Sequence, residues 1–174
     1  RDLLAQAGYP DGFDTEFWYM PVSRPYYPAP ADVAEAIASY LGDVGIRAEL
    51  MTEEWGIYLD NYLLGKFPIY MLGWSADFAD PDNFISSFFN EANAPGFGYD
   101  NPELFDRISA AQSAGSMDER EILYQLIAQT LHDDLPALPF VNPSTLNGVW
   151  NNVDGFYPNA LGSTVPFNTI TKAE

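Results

Sequence analysis

Hydrophobic positions in the first half of the chain alternate between the period of a strand and the period of a helix. Residues 13–20 and 46–52 alternate in polarity and predict two strands. Residues 31–42 and 54–65 repeat apolar side chains at helical spacing and predict two helices. Residues 68–74 are mostly apolar, as in a strand that is buried on both faces. The predicted order is β-α-β-α-β, and right-handed crossovers would make the three strands parallel.

The second half of the chain is predicted to be mainly helical before an irregular tail. Asp80 followed by Pro81 is typical of a helix start, with the aspartate as the N-cap. Ser116 and Glu119 have the spacing of a capping box and predict the start of a longer helix. Residues 142–174 carry turn signals and short strand-like pieces without a strong helical pattern.

Composition excludes several classes of protein. The 174 residues include 47% hydrophobic side chains, far too many for a disordered chain. No apolar run approaches the ~20 residues that a membrane-spanning helix needs. The net charge of −18 would repel phosphate backbones and anionic lipids, so we expect neither nucleic acid nor a membrane surface as a partner.

The scarcity of catalytic and metal-ligating side chains makes an enzyme an unfavoured interpretation. There is no cysteine, and the one histidine, His132, lies near the end of a predicted helix, where the helix dipole favours a cation. An EF-hand loop counted from Asp80 fails, because Phe84 and Ile85 occupy positions that need a ligand and a glycine. We therefore expect no catalytic residue, no metal site and no cofactor.

The more informative residues are a cation and an anion that follow predicted strands. Arg24 follows the first strand and Asp77 follows the third, at the edge where open α/β sheets bind ligands. Arg24 could bind a carboxylate and Asp77 an ammonium group, so that together they would hold a zwitterion such as a short peptide. Trp74, Tyr26 and Phe78 could form apolar walls. An exposed salt bridge between Arg24 and Asp77, worth ~1 kcal/mol or less, explains the pair equally well.

Short motifs along nearly the whole chain resemble the extracytoplasmic solute-binding proteins of peptide ABC transporters, and the dipeptide-binding members in particular. The motifs are LLAQAGYPDGF at 3–13, MPVSRPY at 20–26, EWG at 54–56, GWSAD at 73–77 and DPDNF at 80–84. In that family the arginine of the Pro-x-x-Arg-Pro-Tyr motif binds the peptide carboxylate, and the aspartate of Gly-Trp-x-x-Asp binds the amino group. These positions match Arg24 and Asp77, and the tryptophan that lines the family's pocket matches Trp74.

The resemblance implies an α/β fold, one lobe of a type II periplasmic-binding-protein architecture with a mixed sheet flanked by helices. It implies that residues 1–141 form the C-terminal ligand-binding lobe. Residues 142–174 would form a tail that returns to the N-terminal lobe.

The resemblance also implies a function and partners. The protein would bind short peptides, dipeptides above all, in the periplasm or outside the cell, and deliver them to ABC transporter permease subunits. Alternatives within the same fold are a nickel-, haem- or oligosaccharide-binding relative. The aromatic content of 16%, together with abundant carboxylates, also leaves a carbohydrate-active protein as an alternative.

We expect the chain to be a fragment, because its first residue is Arg1 and it looks like the last third of family members. The partner lobe and a signal peptide would lie upstream. The tail carries many apolar side chains, and we expect that without the other lobe it would self-associate with a second copy. These side chains are Leu146, Val149, Trp150, Val153, Phe156, Tyr157, Leu161, Val165, Phe167 and Ile170.

Overall fold

Two strands with a helix between them form the start of the fold, as the hydrophobic pattern predicts. In the computed structural model, which describes residues 1–144, 146–158 and 167–173, the two strands pair in parallel. The elements are helix α1 (Asp2–Gln6), strand β1 (Phe13–Trp18), helix α2 (Pro30–Val44) and strand β2 (Ile46–Met51). Helix α2 packs against β2, so the crossover covers one face of the pair.

The entry to both strands is fixed by a close approach of two glycines. Gly12 and Gly45 have φ angles of +76° and +105°, in the left-handed region that favours glycine. A Cβ atom on Gly12 would lie 1.8 Å from the carbonyl oxygen of Gly45. The N–H of Phe13 donates to that same oxygen at 3.2 Å. The first residue pair of the ladder, Phe13 with Ile46, is therefore set by backbone contact.

Helix α3 (Trp55–Leu63) is capped by Glu54, whose carboxylate accepts hydrogen bonds from the N–H groups of Gly56 at 2.9 Å and Ile57 at 3.2 Å. Its buried stripe contributes Tyr58 and Tyr62 to an apolar core. The other buried members of this core are Phe17, Met20, Tyr27, Ala34, Phe67 and Met71. Five of the eight buried members are aromatic, so rings make up most of this core.

The strand predicted over residues 68–74 is wrong. Only Tyr70 forms a ladder contact, an isolated parallel bridge to Trp18. The Tyr58 hydroxyl donates to the carbonyl oxygens of Met71 at 2.8 Å and Trp18 at 3.2 Å. The N–H of Met71 donates to the same Trp18 oxygen at 2.9 Å, and the N–H of Trp18 donates to the Ile69 carbonyl at 2.9 Å, so the segment pairs with the end of β1 at this one bridge.

Three further helices follow: α4 (Asp82–Phe89), α5 (Pro102–Ser113) and α6 (Met117–Asp134). Helix α4 begins one residue after the predicted first position, Pro81, and the Asp80 carboxylate accepts from the N–H of Asp82 at 2.8 Å, the contact expected of a capping aspartate. The predicted cap of α6 is confirmed, since Ser116 Oγ accepts from the N–H of Glu119 at 3.2 Å.

The chain divides into two compact units. Unit 1 is Arg1–Gly73 with Glu91–Asn101, and it contains the aromatic core and a short 3₁₀ helix at Ala94–Phe97 that contacts α3. Unit 2 is Trp74–Asn90 with Pro102–Glu174. In unit 2, α5 packs against both α4 and α6. The fully buried side chains there are Leu104, Ile108, Ala111 and Ile127.

The tail adds a small antiparallel ladder to unit 2. Strands β3 (Val153–Asp154) and β4 (Thr171–Lys172) pair with each other, and the N–H of Ala173 donates to the carbonyl of Asn152 at 2.9 Å. Leu161 and Val165, which we expected on the apolar face of the tail, lie outside the described residues.

The α/β class is confirmed, with helices around small sheets. In the described residues the parallel pair and the antiparallel pair form two separate two-stranded sheets. None of the helices described is both long and apolar enough to cross a membrane. The division into a lobe over 1–141 and a tail over 142–174 stays a prediction.

Candidate functional site

A tight turn in unit 1 presents Arg24. The N–H of Arg24 donates to the carbonyl of Tyr27 at 3.0 Å, and the N–H of Tyr27 returns a bond to the carbonyl of Arg24 at 2.9 Å. Pro25 occupies the second position of this turn, where its fixed φ angle is favourable. The Tyr27 ring is buried in the aromatic core. The turn at Pro25 and the buried Tyr27 ring therefore hold the backbone of Arg24 in place.

The Arg24 side chain lies over an aromatic ring. Its guanidinium carbon is 5.1 Å from the centroid of the Trp55 ring, a cation–π geometry that orients the planar group. The guanidinium also lies close enough to Tyr26 to act on its hydroxyl electrostatically. Burial raises the pKa of Tyr26, while the charge of Arg24 acts in the opposite direction. Among the described residues of unit 1, no carboxylate forms a salt bridge with Arg24.

Tyr26 depends on the absence of a side chain at Gly73. A Cβ atom on Gly73 would lie 2.4 Å from Cε2 and 2.6 Å from Cδ2 of the Tyr26 ring. The ring also meets Tyr27 edge-on, with centroids 5.7 Å apart. Gly73, the residue directly before Trp74, thus allows the Tyr26 ring to lie flat against the backbone.

In unit 2, one buried amide binds the segment that carries Trp74 and Asp77. The Oδ1 atom of Asn83 accepts from Trp74 Nε1 at 2.9 Å and from the N–H of Asp77 at 2.8 Å. The Trp74 ring meets Phe88 edge-on at 6.1 Å and remains 41% exposed. The tryptophan is therefore held in a fixed orientation at the surface of its unit.

Asp77 and Phe78 are both exposed, and Ala76 beside them is buried. Because Ala76 is packed inward and the Asp77 N–H is bound, the backbone is fixed while the carboxylate points away from the packing. No cation forms a salt bridge with the Asp77 carboxylate in the described part of unit 2. A carboxylate in this setting can accept several hydrogen bonds from a ligand ammonium group.

The structure brings the predicted residues into two groups. Arg24 and Tyr26 lie with Trp55 in unit 1. Trp74 and Asp77 lie with Asn83 in unit 2, and Phe78 follows directly in the chain.

Asn83 and Trp55 were not predicted as site residues. Trp55 falls on the apolar stripe of its helix, a position that favours packing. Asn83 lies in the DPDNF motif, and nothing in the sequence alone gives it a ligand or supporting role. The available signal was that Asn83 and Ser87, at i and i+4, put polar groups on the same face of a short helix otherwise rich in phenylalanine.

No group of three histidine, cysteine, aspartate or glutamate side chains suited to a metal ion occurs among the described residues. His132 lies in the last turn of α6 and is exposed.

Comparisons with known proteins identify the family of the chain. Residues 1–96 match the family model for bacterial extracellular solute-binding proteins, family 5 Middle. The dipeptide-binding protein of Escherichia coli is 34% identical over 93% of this chain and 31% of its own length. Heme-binding protein A of Haemophilus influenzae is 30% identical, with 93% and 30% of the two chains covered.

A solved structure gives the same result for the fold. The dipeptide-binding protein of Pseudoalteromonas sp. SM9913, in complex with Met-Leu, matches with a TM-score of 0.79 and 26% identity. The match covers 99% of this chain and 34% of that chain. This chain therefore spans about a third of the length of these relatives. The chain belongs to the family 5 bacterial extracellular solute-binding proteins.

Proposed function

We propose that the protein containing this chain binds short peptides, dipeptides above all, outside the cytoplasm. It would deliver them to an ABC transporter permease. The observation that carries the proposal is the Arg24 guanidinium, which Trp55 orients and which no carboxylate of its own unit neutralises. The printed names of relatives, a dipeptide-binding protein and a complex with Met-Leu, support a peptide as the ligand.

Each end of a dipeptide has a matching group. Arg24 would bind the C-terminal carboxylate through a charge-assisted pair of N–H donors. Asp77 would accept hydrogen bonds from the N-terminal ammonium group. Trp74, Tyr26 and Phe78 would contact the side chains of the peptide through their rings.

Capture of this kind needs no covalent step, so the proposal includes no catalytic residue, metal or cofactor. The ligand-binding part would be residues 1–141, and residues 142–174 would pack against another lobe of the same protein. The proposed location is the periplasm or the cell exterior, where such a protein would meet its permease.

Haem is the second candidate ligand, because one relative that is 30% identical is named a haem-binding protein. Haem has carboxylates but no ammonium group, so Arg24 could serve both ligands whereas Asp77 could serve only a peptide. Titrating the full-length protein with a dipeptide and, separately, with haem distinguishes the two. Saturable binding of haem together with no response to the dipeptide would refute the peptide proposal.

The direct experiment compares Arg24→Ala with the unchanged full-length protein. We expect the affinity for a free dipeptide to fall roughly 10- to 150-fold, and the affinity for its C-terminal amide to change much less. Arg47→Ala is the matched control, since it removes one positive charge from an exposed pair with Asp14. Equal losses for acid and amide would show that Arg24 does not bind the carboxylate.

A further inference from the structure

We propose that Asn83 is a positioning residue, which orients Asp77 and Trp74 for the ammonium end of the ligand. The inference rests on the proposed peptide-binding function and adds a residue that carries no ligand contact of its own. It stands on the hydrogen bonds of unit 2 alone.

One oxygen atom fixes two different parts of the binding segment. Asn83 Oδ1 receives the indole N–H of Trp74, nine positions earlier, and the backbone N–H of Asp77, six positions earlier. The first bond fixes the plane of a ring, and the second fixes the backbone that bears the carboxylate. Loss of this one acceptor would therefore free both groups together.

The acceptor is buried, and this makes it effective. Asn83 is 8% exposed, the one polar side chain that is buried among the described residues. A hydrogen bond shielded from water is stronger than an exposed one, and an unpaired donor there is costly. A neutral amide provides this acceptor without burying a charge.

Asn83 is itself held in place by the start of α4. The Arg120 guanidinium binds both oxygens of Asp80, at 2.8 and 2.6 Å, and ties the start of α4 to α6. Tyr124 and Gln112 donate to Asp82 Oδ1 at 3.1 and 3.0 Å. Asp80, just before α4, and Asp82, its first residue, are thus anchored to two neighbouring helices, and Asn83 follows directly.

The arrangement forms a chain of supports that ends at Asp77. Helix α6 holds Asp80, the start of α4 holds Asn83, and Asn83 holds the backbone of Asp77. A rigid carboxylate loses less conformational freedom when a ligand binds, which increases affinity. Asn83 therefore acts on binding through Asp77 rather than by touching the peptide.

The test uses three variants of the full-length protein. Asn83→Leu removes the acceptor at similar volume, Asn83→Asp retains it, and Gln129→Leu makes the same amide-to-leucine change at an exposed position of α6. The first readout is the indole ¹⁵N–¹H resonance of Trp74 in protein labelled on tryptophan, assigned with Trp74→Phe. The second readout is the ratio of affinities for a free dipeptide and its N-acetylated form.

In Asn83→Leu we expect the Trp74 indole resonance to shift and its hydrogen exchange to accelerate. We expect the preference for the free amine to fall roughly 5- to 10-fold, because a mobile Asp77 binds ammonium less well. Asn83→Asp should keep the indole N–H protected from exchange, because the acceptor remains. Gln129→Leu should keep both the indole resonance and the preference for the free amine.

The two proposals can fail separately. An unchanged indole resonance and an unchanged preference in Asn83→Leu would overturn the role of Asn83. A wild-type protein that binds free and N-acetylated peptides equally would overturn the role of Asp77, while the indole readout would still test Asn83. If Asn83→Leu does not fold, Asn83→Ala is measured in the same way, and the same outcomes decide.

Discussion

Arg24 and Asp77, the two residues proposed to bind the ends of a peptide, are held by different interactions in their two units. Arg24 lies over Trp55 and beside Tyr26, above a core made mainly of aromatic rings. Asp77 lies on a backbone held by the amide of Asn83, within a network of hydrogen bonds and one ion pair.

This difference predicts different sensitivities. Aromatic packing depends on shape, so the surroundings of Arg24 should respond to small steric changes and little to pH. The polar network depends on charge, so the surroundings of Asp77 should respond to acid and to the loss of single donors.

The largest effect is expected from Gly73→Ala, which tests the shape of unit 1. The added methyl group would overlap the Tyr26 ring, so we expect a loss of about 1–3 kcal/mol in the free energy of unfolding. Peptide affinity should fall as well, because the ring can no longer lie beside Arg24. Denaturant titration and calorimetric binding measure the two effects.

Gly42→Ala is the matched control, because no atom lies within 4 Å of the added methyl and the residue is helical. This control should be neutral or slightly stabilising. In a Tyr26→Ala background the cost of Gly73→Ala should largely disappear. If it persists there, the clash with Tyr26 is not the cause.

A smaller effect is expected from Arg120→Met, which tests the polar network of unit 2. The hydrogen bond from Arg120 is the main cause that holds the pKa of Asp80 below its usual range. The stability due to this pair is therefore present above the ordinary aspartate pKa of ~3.9 and is lost as pH falls through the lower folded value. Arg120→Met should lower stability at pH 7, and the difference from wild type should shrink on acidification.

Arg47→Met provides the control for Arg120→Met, because it also removes one positive charge and one bidentate partner. Its pair with Asp14 is far more exposed, with side-chain exposures of 55% and 78% against 20% and 28% for Arg120 and Asp80. Solvent and salt should screen the exposed pair more strongly. The free energy of unfolding of both variants is measured by urea titration. Equal and equally salt-sensitive losses of this free energy would contradict a larger contribution from the Arg120–Asp80 pair.

The smallest effect on stability is expected from Trp150→Ser, which tests the tail of unit 2. Large apolar side chains are exposed there: Leu146 at 95%, Trp150 at 83%, Tyr157 at 67% and Phe167 at 78%. We expect the 174-residue chain to associate with rising concentration through this surface, and Trp150→Ser to weaken the association without changing the unfolding free energy. Light scattering over a concentration series measures it, with Tyr40→Ser, exposed on α2, as the control.

A scattering mass equal to one chain at every concentration would contradict self-association. The two groups of site residues would still differ in the interactions that hold them. The exposed apolar side chains of the tail, however, would not mediate association.

Local signals in the sequence were sufficient for most of the helices. The pair Ser116 and Glu119 forms the predicted cap, and Gly45 ends α2 in the left-handed conformation. Such features need only neighbouring residues, so the sequence carries them directly. The strand predicted over 68–74 depended instead on distant partners. The segment pairs with β1 only at the bridge between Tyr70 and Trp18, and no local pattern reveals where such pairing stops.

The same reasoning explains what was predicted of the site. Arg24 and Asp77 follow predicted strands, and the aromatic residues Tyr26, Trp74 and Phe78 lie beside them in the sequence. The ligand roles of all five remain proposals. Asn83 could not be predicted in this way, because its role depends on the position of its side-chain oxygen in the folded unit. A buried acceptor for two donors is a property of the folded unit.

The close approach of Gly12 and Gly45 also limits how the chain can misfold. Charged and apolar side chains alternate along β1, so a slip of one residue against β2 would turn Asp14 and Glu16 toward the core. The two glycine backbones touch at the entry of the ladder and fit only one alignment. A chain with a shifted pairing would have to give up this contact, so the glycine pair favours the native alignment over its neighbours.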